Sequence, residues 1–350
     1  MVKKMYRIKT SEKNNDKATE FETKSLLYLL TKIEGYQNID LFIIDCFNDV
    51  TGVENNYQES WDVQSKGVSN LTPRAIGISL YTLFANYVSD IDFTHYLLFA
   101  PPIKDDYLND VSVEYFSISN FKIEKVDNIK AGLKAEIERR NDPDVNTSTK
   151  LLLLDEFLND VIFIIDKYNK SDYIKSIIEF KDIKYIEDNF LIKIFDEIRA
   201  LQSAKKIPNV YNEEVASIQD SEKFSKTISR RDIELLVINR IIGNDLFAKK
   251  GIPIPFIHIV SDMEEEDIID VVEDCQSKIS RTLFNKNNKK AFWIILEKIM
   301  IEVTLNPKTS VNEILSKIEP DLRKSVFTLD EISLLYLISL VKEGLNYENS

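Results

Sequence analysis

The pattern of apolar and polar positions divides the chain into an alternating first part and a helical second part. Short runs rich in β-branched and aromatic residues predict strands, and apolar positions three or four residues apart predict helices. Thr72 followed by Pro73 is typical of a helix start, an N-cap with proline in the first turn. Residues 51–60 are polar and predict a connecting loop. The elements predicted in this part are a helix at 17–34, strands at 39–47 and 61–67, a helix from 73 to about 87, a buried strand at 95–102 and an edge strand at 111–121.

A cluster of Asn, Asp, Pro, Ser and Thr at 141–149 predicts a domain boundary. We therefore expect an α/β domain at 1–142, with a central mixed sheet flanked by helices, followed by a mostly α-helical domain at 143–350 that serves for oligomerisation or docking on a partner. Its one predicted extended segment is 251–260, because prolines there disfavour helix. The predicted helices are 150–168, 171–180, 185–205, 230–242, 264–284, 289–304, 311–318 and 329–343, the last two with capping-box pairs Ser310 with Glu313 and Thr328 with Glu331.

The formal net charge of the 350-residue chain is −13. Residues 1–142 are also net acidic, which disfavours a protein that coats nucleic acid unaided, because phosphate contacts need Lys and Arg. A DNA-binding protein of this charge would need a local basic patch, bound metal ions or a basic partner subunit, and we favour the partner. Cys46 and Cys275 are far apart and predict buried thiols in a reducing compartment. No apolar run reaches the ~20 residues that cross a bilayer, so we expect a soluble, cytoplasmic protein.

The residues most suggestive of chemistry lie on the predicted strand WDVQSKG. Side chains alternate along a strand, so Asp62, Gln64 and Lys66 are predicted to share a face. An amide oxygen can bind a hard cation, and the ammonium of Lys66 lies about 6.6 Å further along a strand that rises ~3.3 Å per residue. Phosphodiester hydrolysis needs such a cation site together with a cation that steadies the attacking water or the developing charge.

Carboxylates that could complete this site precede it in the chain. Asp49 stands at the predicted strand end before Gly52 and is the preferred ligand, with Asp45 as the alternative. The first helix offers Glu22 or Glu20. Glu22 has a competing structural interpretation, because Thr19 three residues earlier makes a capping-box pattern.

The segments ATEFET, FNDVTG and WDVQSKG together resemble the double-stranded DNA endonuclease domain of the PD-(D/E)xK superfamily in bacterial anti-phage systems, notably CBASS effectors and the Lamassu nuclease subunit. Those members carry Gln in place of the usual Glu before x-Lys. The resemblance covers the first 120 to 140 residues and implies a restriction-endonuclease-like fold with Asp49, Gln64 and Lys66 as catalytic residues. It also implies that Glu22, Asp49 and Gln64 bind Mg²⁺ or Mn²⁺, and that self-assembly triggers cleavage of double-stranded DNA.

The helical part does not resemble a cyclic-nucleotide sensor, which favours docking on a partner such as an SMC-like ATPase, as in Lamassu. The alternative is a catalytically silent helical adaptor in a defence complex, which the acidic charge would suit. His95 and His258 each adjoin apolar segments without a second zinc-type ligand, and no phosphate-binding glycine loop is present.

Overall fold

A computed structural model describes residues 5–9, 16–181, 186–247 and 251–347. The chain forms two compact units, each assembled from two stretches of sequence. The first unit comprises residues 1–173 and 196–230, and the second comprises 174–195 and 231–350.

The strands of the first unit are β1 Tyr6–Arg7, β2 Ile39–Ile44, β3 Val50–Glu54, β4 Ser60–Ser65, β5 His95–Ala100, β6 Tyr115–Ser117, β7 Val161–Ile165, β8 Glu214–Val215 and β9 Thr227–Ser229. Seven of them form a mixed sheet in the order β6-β7-β5-β4-β3-β2-β9, and β1 pairs with β8. Strands β2, β3 and β4 form an antiparallel meander, whereas β4, β5 and β7 run parallel. The parallel pairs require crossover connections, which helices supply.

The helices of the first unit lie on both faces of this sheet. The ring of Phe99 on β5 contacts Phe21 and Tyr28 on one face, whereas Tyr96 contacts Tyr87 and Phe157 on the other. Alternation along β5 therefore separates two apolar layers. The helices are α1 Asp16–Thr31, α2 Pro73–Ser79, α3 Tyr81–Tyr87, α4 Ile123–Arg140, α5 Ser148–Leu151 and α6 Leu154–Asp160. Two further helices, α7 Lys170–Ile178 and α8 Asp188–Lys206, each contain residues assigned to both units.

Two predicted elements of this unit differ from the structure. The polar stretch predicted as a loop at 51–60 contains β3, whose valines are buried in the middle of the sheet. The helix predicted at 150–168 is two short helices followed by β7. An apolar run such as Val161–Ile165 suits a buried parallel strand as well as a buried helix, and the pattern alone does not separate the two.

The boundaries between the two units also differ from the predicted domain boundary. The predicted boundary after residue 142 falls inside the first unit, because β7 and β9 belong to the same sheet as β2 to β5. The edge strand predicted at 111–121 is present as β6, which forms one edge of the sheet.

In the second unit, helices pack around one apolar helix, the last helix of the chain. This helix contributes buried residues on all sides, including Leu334, Leu337 and Val341, and packs against four other helices of the unit. A helix that is apolar all round belongs in a core. The helices of this unit are α9 Arg230–Ile242, α10 Ile254–Ile257, α11 Glu265–Leu283, α12 Lys289–Leu305, α13 Val311–Lys317, α14 Pro320–Ser325 and α15 Glu331–Tyr347, with α10, α11, α12 and α13 against α15.

The helices predicted for this part are present with small differences at their ends, and the Ser310 capping box is formed. The prediction of an extended segment at 251–260 is wrong, because its prolines lie at the start of α10. There a missing backbone N–H breaks no hydrogen bond within the helix. The capping box predicted for Thr328 and Glu331 is not formed. Asp330 instead accepts from the Ser333 N–H at 3.0 Å, and the Thr328 hydroxyl pairs with that of Thr282.

Candidate functional site

Asp49 and Gln64 meet where β3 begins and β4 ends. Val50 lies opposite Val63 in the antiparallel register, so the preceding residue of β3 faces the following residue of β4. Gln64 Nε2 donates to Asp49 Oδ2 at 2.6 Å. The structure thus brings together two of the residues predicted for the site.

Ser65 is a further partner of Asp49 that the sequence did not suggest. Its backbone N–H and its Oγ donate to Asp49 Oδ2 at 2.6 and 2.8 Å. With Gln64, three donors converge on one oxygen and hold the carboxylate at the end of β4.

Glu22 of α1 lies close enough to Asp49 to interact with its charge. Burial and the neighbouring Asp49 together raise the pKa of Glu22 to about 7, although Lys206 opposes both effects. The capping-box interpretation of Glu22 does not apply, because α1 begins at Asp16 and the Thr19 carbonyl accepts from Thr23 Oγ1 within the helix. Glu22 is a buried acid facing other charges.

The alternative acids have other partners. Glu20 is more exposed than Glu22 and pairs with Lys170 at 3.0 Å. Asp45 follows β2 with a positive φ of 49°, an uncommon conformation for a residue other than glycine, and its Oδ2 lies 3.3 Å from Lys226 Nζ. Asp45 also raises the pKa of Glu22, so it borders the same cluster.

Lys66 directly follows β4. Its backbone N–H donates to the carbonyl of Phe99 at 2.9 Å, which extends the pairing with β5 by one residue. The side chain is half-buried, and in the part of the chain that the structure describes it has no ion-pair partner. Because Ser65 contacts Asp49, Lys66 leaves the sheet next to the acidic cluster.

Asp62, which alternation predicted to share a face with Gln64 and Lys66, borders this cluster, because Asp49 contributes to its raised pKa, but its hydrogen-bond partners lie outside the cluster. It is fully buried beneath α3, where Asn86 Nδ2 donates to its Oδ2 at 2.7 Å and Asn48 Nδ2 at 3.4 Å. Burial raises the pKa of Asp62 to about 7 despite these hydrogen bonds. Asp62 is therefore part of a buried polar network.

Two lysines that sequence reasoning missed complete the cluster. Lys206, at the end of α8, pairs with Glu22, and Lys226, just before β9, pairs with Asp45. The Lys226 side chain is 1% exposed, and its ammonium also lies 3.4 Å from the Lys206 carbonyl oxygen. Both lysines are more than 180 residues from their acids, so no local pattern pointed to these pairs.

The donor set suits a hard cation. Glu22 and Asp49 offer carboxylate oxygens and Gln64 an amide oxygen, the ligands that Mg²⁺ and Mn²⁺ prefer. Among the described residues no group of three His, Cys, Asp or Glu side chains is arranged to hold a metal ion, so a cation here would depend on Gln64 as well as on the two acids. These residues therefore fit a cation site that consists of two carboxylates and one amide oxygen.

The other candidates from the sequence lie elsewhere. His95 Nε2 is 3.0 Å from Glu59 Oε2 and its ring stacks on Trp61, while His258 is exposed at the end of α10. Cys46 and Cys275 are buried thiols, as predicted.

Among the described helices, none combines the length and the apolar character needed to cross a bilayer. Comparison of the chain with protein-family models, with curated proteins and with solved structures found no match.

Proposed function

We propose that the protein is a metal-dependent endonuclease that hydrolyses phosphodiester bonds of double-stranded DNA as an effector of bacterial anti-phage defence. The contact between Gln64 and Asp49 carries this proposal, because it joins the two motifs on which the resemblance to the PD-(D/E)xK superfamily depends. We further propose that the first unit has the restriction-endonuclease-like fold.

The order of elements supports the proposal. A helix with Glu22 precedes a three-stranded meander, Asp49 stands at the start of its second strand and Gln64 near the end of its third, and helices then lead to a parallel strand. Every residue carried over from the resemblance thus lies at or beside the same end of the sheet.

The residues have distinct roles in this proposal. Glu22, Asp49 and Gln64 would hold Mg²⁺ or Mn²⁺, which supplies charge stabilisation at the scissile phosphate and a more acidic bound water. Ser65 fixes the Asp49 carboxylate in the orientation that the site needs. Lys66 places an ammonium beside the phosphate, where it steadies the attacking water or the developing negative charge.

DNA binding needs help from outside the chain. A net charge of −13 opposes non-specific binding of the chain to DNA, because contacts of Lys and Arg with phosphates supply most of that affinity. We therefore propose that self-association, or a partner subunit such as an SMC-like ATPase, brings the cytoplasmic protein to double-stranded DNA.

The test is plasmid cleavage by Lys66→Ala. We expect a loss of at least about 100-fold in rate, the scale of losing one charge-stabilising group, with an unchanged circular dichroism spectrum and melting temperature. Lys134→Ala is the matched control, because Lys134 is an exposed lysine on α4. Assays use Mg²⁺ or Mn²⁺ on linear and circular DNA, at low protein concentration and at concentrations that drive self-association.

Wild-type cleavage by a folded Lys66→Ala protein would contradict the proposal. Wild-type protein that cleaves under none of these conditions would favour the second candidate, a catalytically silent adaptor of a defence complex. The pairing of Glu22 with a lysine and the acidic net charge are the observations that favour this candidate.

A further inference from the structure

Side chains at the end of α8 contact α1 beside Glu22. The Thr23 hydroxyl lies within hydrogen-bond distance of the side-chain amide of Gln202, at 2.8 Å, and both side chains are fully buried. Lys206 lies four residues after Gln202, so it is on the same face of α8 one turn later. This contact places the Lys206 ammonium beside Glu22, the residue that precedes Thr23 in α1.

The ion pair between Lys206 and Glu22 is built into the fold. The side chains are 12% and 5% exposed, unlike those of an ordinary surface pair. The Lys226 ammonium contacts the Lys206 carbonyl oxygen at 3.4 Å and Asp45 Oδ2 at 3.3 Å, which holds the last turn of α8 in place. A monovalent cationic group of the protein itself thus stands among the acids of the proposed metal site.

An ammonium and a divalent cation compete for one carboxylate. A divalent ion bound to Glu22 and Asp49 would face Lys206 as a like charge at short range, and such repulsion is substantial where water is excluded. Replacing the ammonium by an uncharged side chain of similar length removes the competitor and leaves the acids in place.

We propose that Lys206 is a positioning residue that sets the cation affinity of this site: it neutralises Glu22 in the cation-free protein and leaves it when a divalent cation binds. This inference rests on the proposed function. It adds that Lys206 stays paired with Glu22 until the concentration of divalent cation is high enough to displace it.

The test measures Mn²⁺ binding to the full-length protein without DNA, by titration calorimetry and by the electron paramagnetic resonance signal of free Mn²⁺. Lys206→Met is expected to lower the dissociation constant about tenfold, because a repulsive charge is lost. Lys206→Arg should bind nearly as wild type does. Lys205→Met, which removes the same charge one residue earlier on α8, should leave the affinity unchanged.

A second measurement uses the wild-type chain and covers the case in which Lys206→Met does not fold. Reductive methylation followed by mass spectrometry reports how accessible each lysine amine is. We expect saturating Mg²⁺ to increase methylation of Lys206 several-fold and to leave that of Lys205 unaltered.

The outcomes separate this inference from the proposed function. If Glu22→Gln and Asp49→Asn weaken Mn²⁺ binding but Lys206→Met does not strengthen it, or if Mg²⁺ leaves methylation of Lys206 unchanged, the role of Lys206 is overturned and the nuclease proposal stands. If Mn²⁺ binding is insensitive to Glu22→Gln and Asp49→Asn, the metal site itself is refuted, and both proposals fail.

Discussion

Three acids of the first unit show how the environment of a residue decides its charge. Burial raises the pKa of Asp62 and of Glu22 to about 7. Glu136 on α4 is also buried, yet its pKa is lowered to about 2, chiefly by hydrogen bonds from Arg139 and also by those from Arg140. The difference is the number of cationic donors within reach.

Glu136 gives a pH prediction. Because its pKa is lower in the folded protein than its ordinary value of 4.5, its stabilising contribution is full above pH 4.5 and disappears as the pH falls towards 2. Glu136→Gln is therefore expected to lower the melting temperature at pH 7 and to lower it by a much smaller amount at pH 2.5, measured by circular dichroism. Glu138→Gln, on the exposed side of α4, is the control and should change little at either pH. An equal deficit at pH 7 and pH 2.5 would contradict this account.

At the scale of elements, α2 and α4 are in backbone contact. A Cβ atom on Gly77 would lie 1.9 Å from the carbonyl oxygen of Ile129, and one on Gly132 would lie 2.1 Å from that of Arg74. Each glycine faces the backbone of the other helix, so neither position has room for a side chain. This crossing supports α2, which leads through α3 to β5 beside the candidate site.

Gly132→Ala should destabilise the protein by about 3 kcal/mol, the upper range for overpacking, although alanine favours helix by about 1 kcal/mol over glycine. The measurement is urea unfolding followed by tryptophan fluorescence. Ala131→Gly, at an exposed position of the same helix, should cost only about 1 kcal/mol, the difference in helix propensity. A neutral or stabilising Gly132→Ala would show that the helices separate at little cost.

At the scale of the whole molecule, each unit is assembled from two stretches of the chain. Strand β7 lies between β6 and β5, and β9 pairs with β2 at the other edge of the sheet. The lysines that pair with Glu22 and Asp45 come from 196–230, beyond the region that the resemblance covers. The acid cluster is therefore complete only when the later stretch has returned to the sheet.

A fragment of residues 1–142 should therefore fail to fold as a cooperative unit. It lacks β7, so β5 exposes an unpaired edge and β6 has no partner strand. Near-ultraviolet circular dichroism and thermal melting should show no cooperative transition, whereas a 1–230 fragment, which contains all seven strands, should show one. Cooperative melting of the 1–142 fragment would refute this account of the sheet.

Local features of this chain could be predicted from its amino-acid sequence: most helices of the second unit, strands β2, β4 and β5, and the proximity of Asp49 and Gln64. These follow from periodicity and from hydrogen bonding between neighbouring strands, which act over short stretches of chain. Strand β3, which overlaps residues 51–60, and strand β7 were not predicted, because a short or uniformly apolar run has no periodicity that distinguishes a strand from a loop or a buried helix.

Three other features became evident only in the folded chain: Asp62 is buried, β7 and β9 extend the sheet, and Lys206 and Lys226 lie among the acids. Each of these depends on contacts between residues far apart in the chain. A residue's charged partner and its exposure to water are set by what folds back onto it, and no local pattern encodes them.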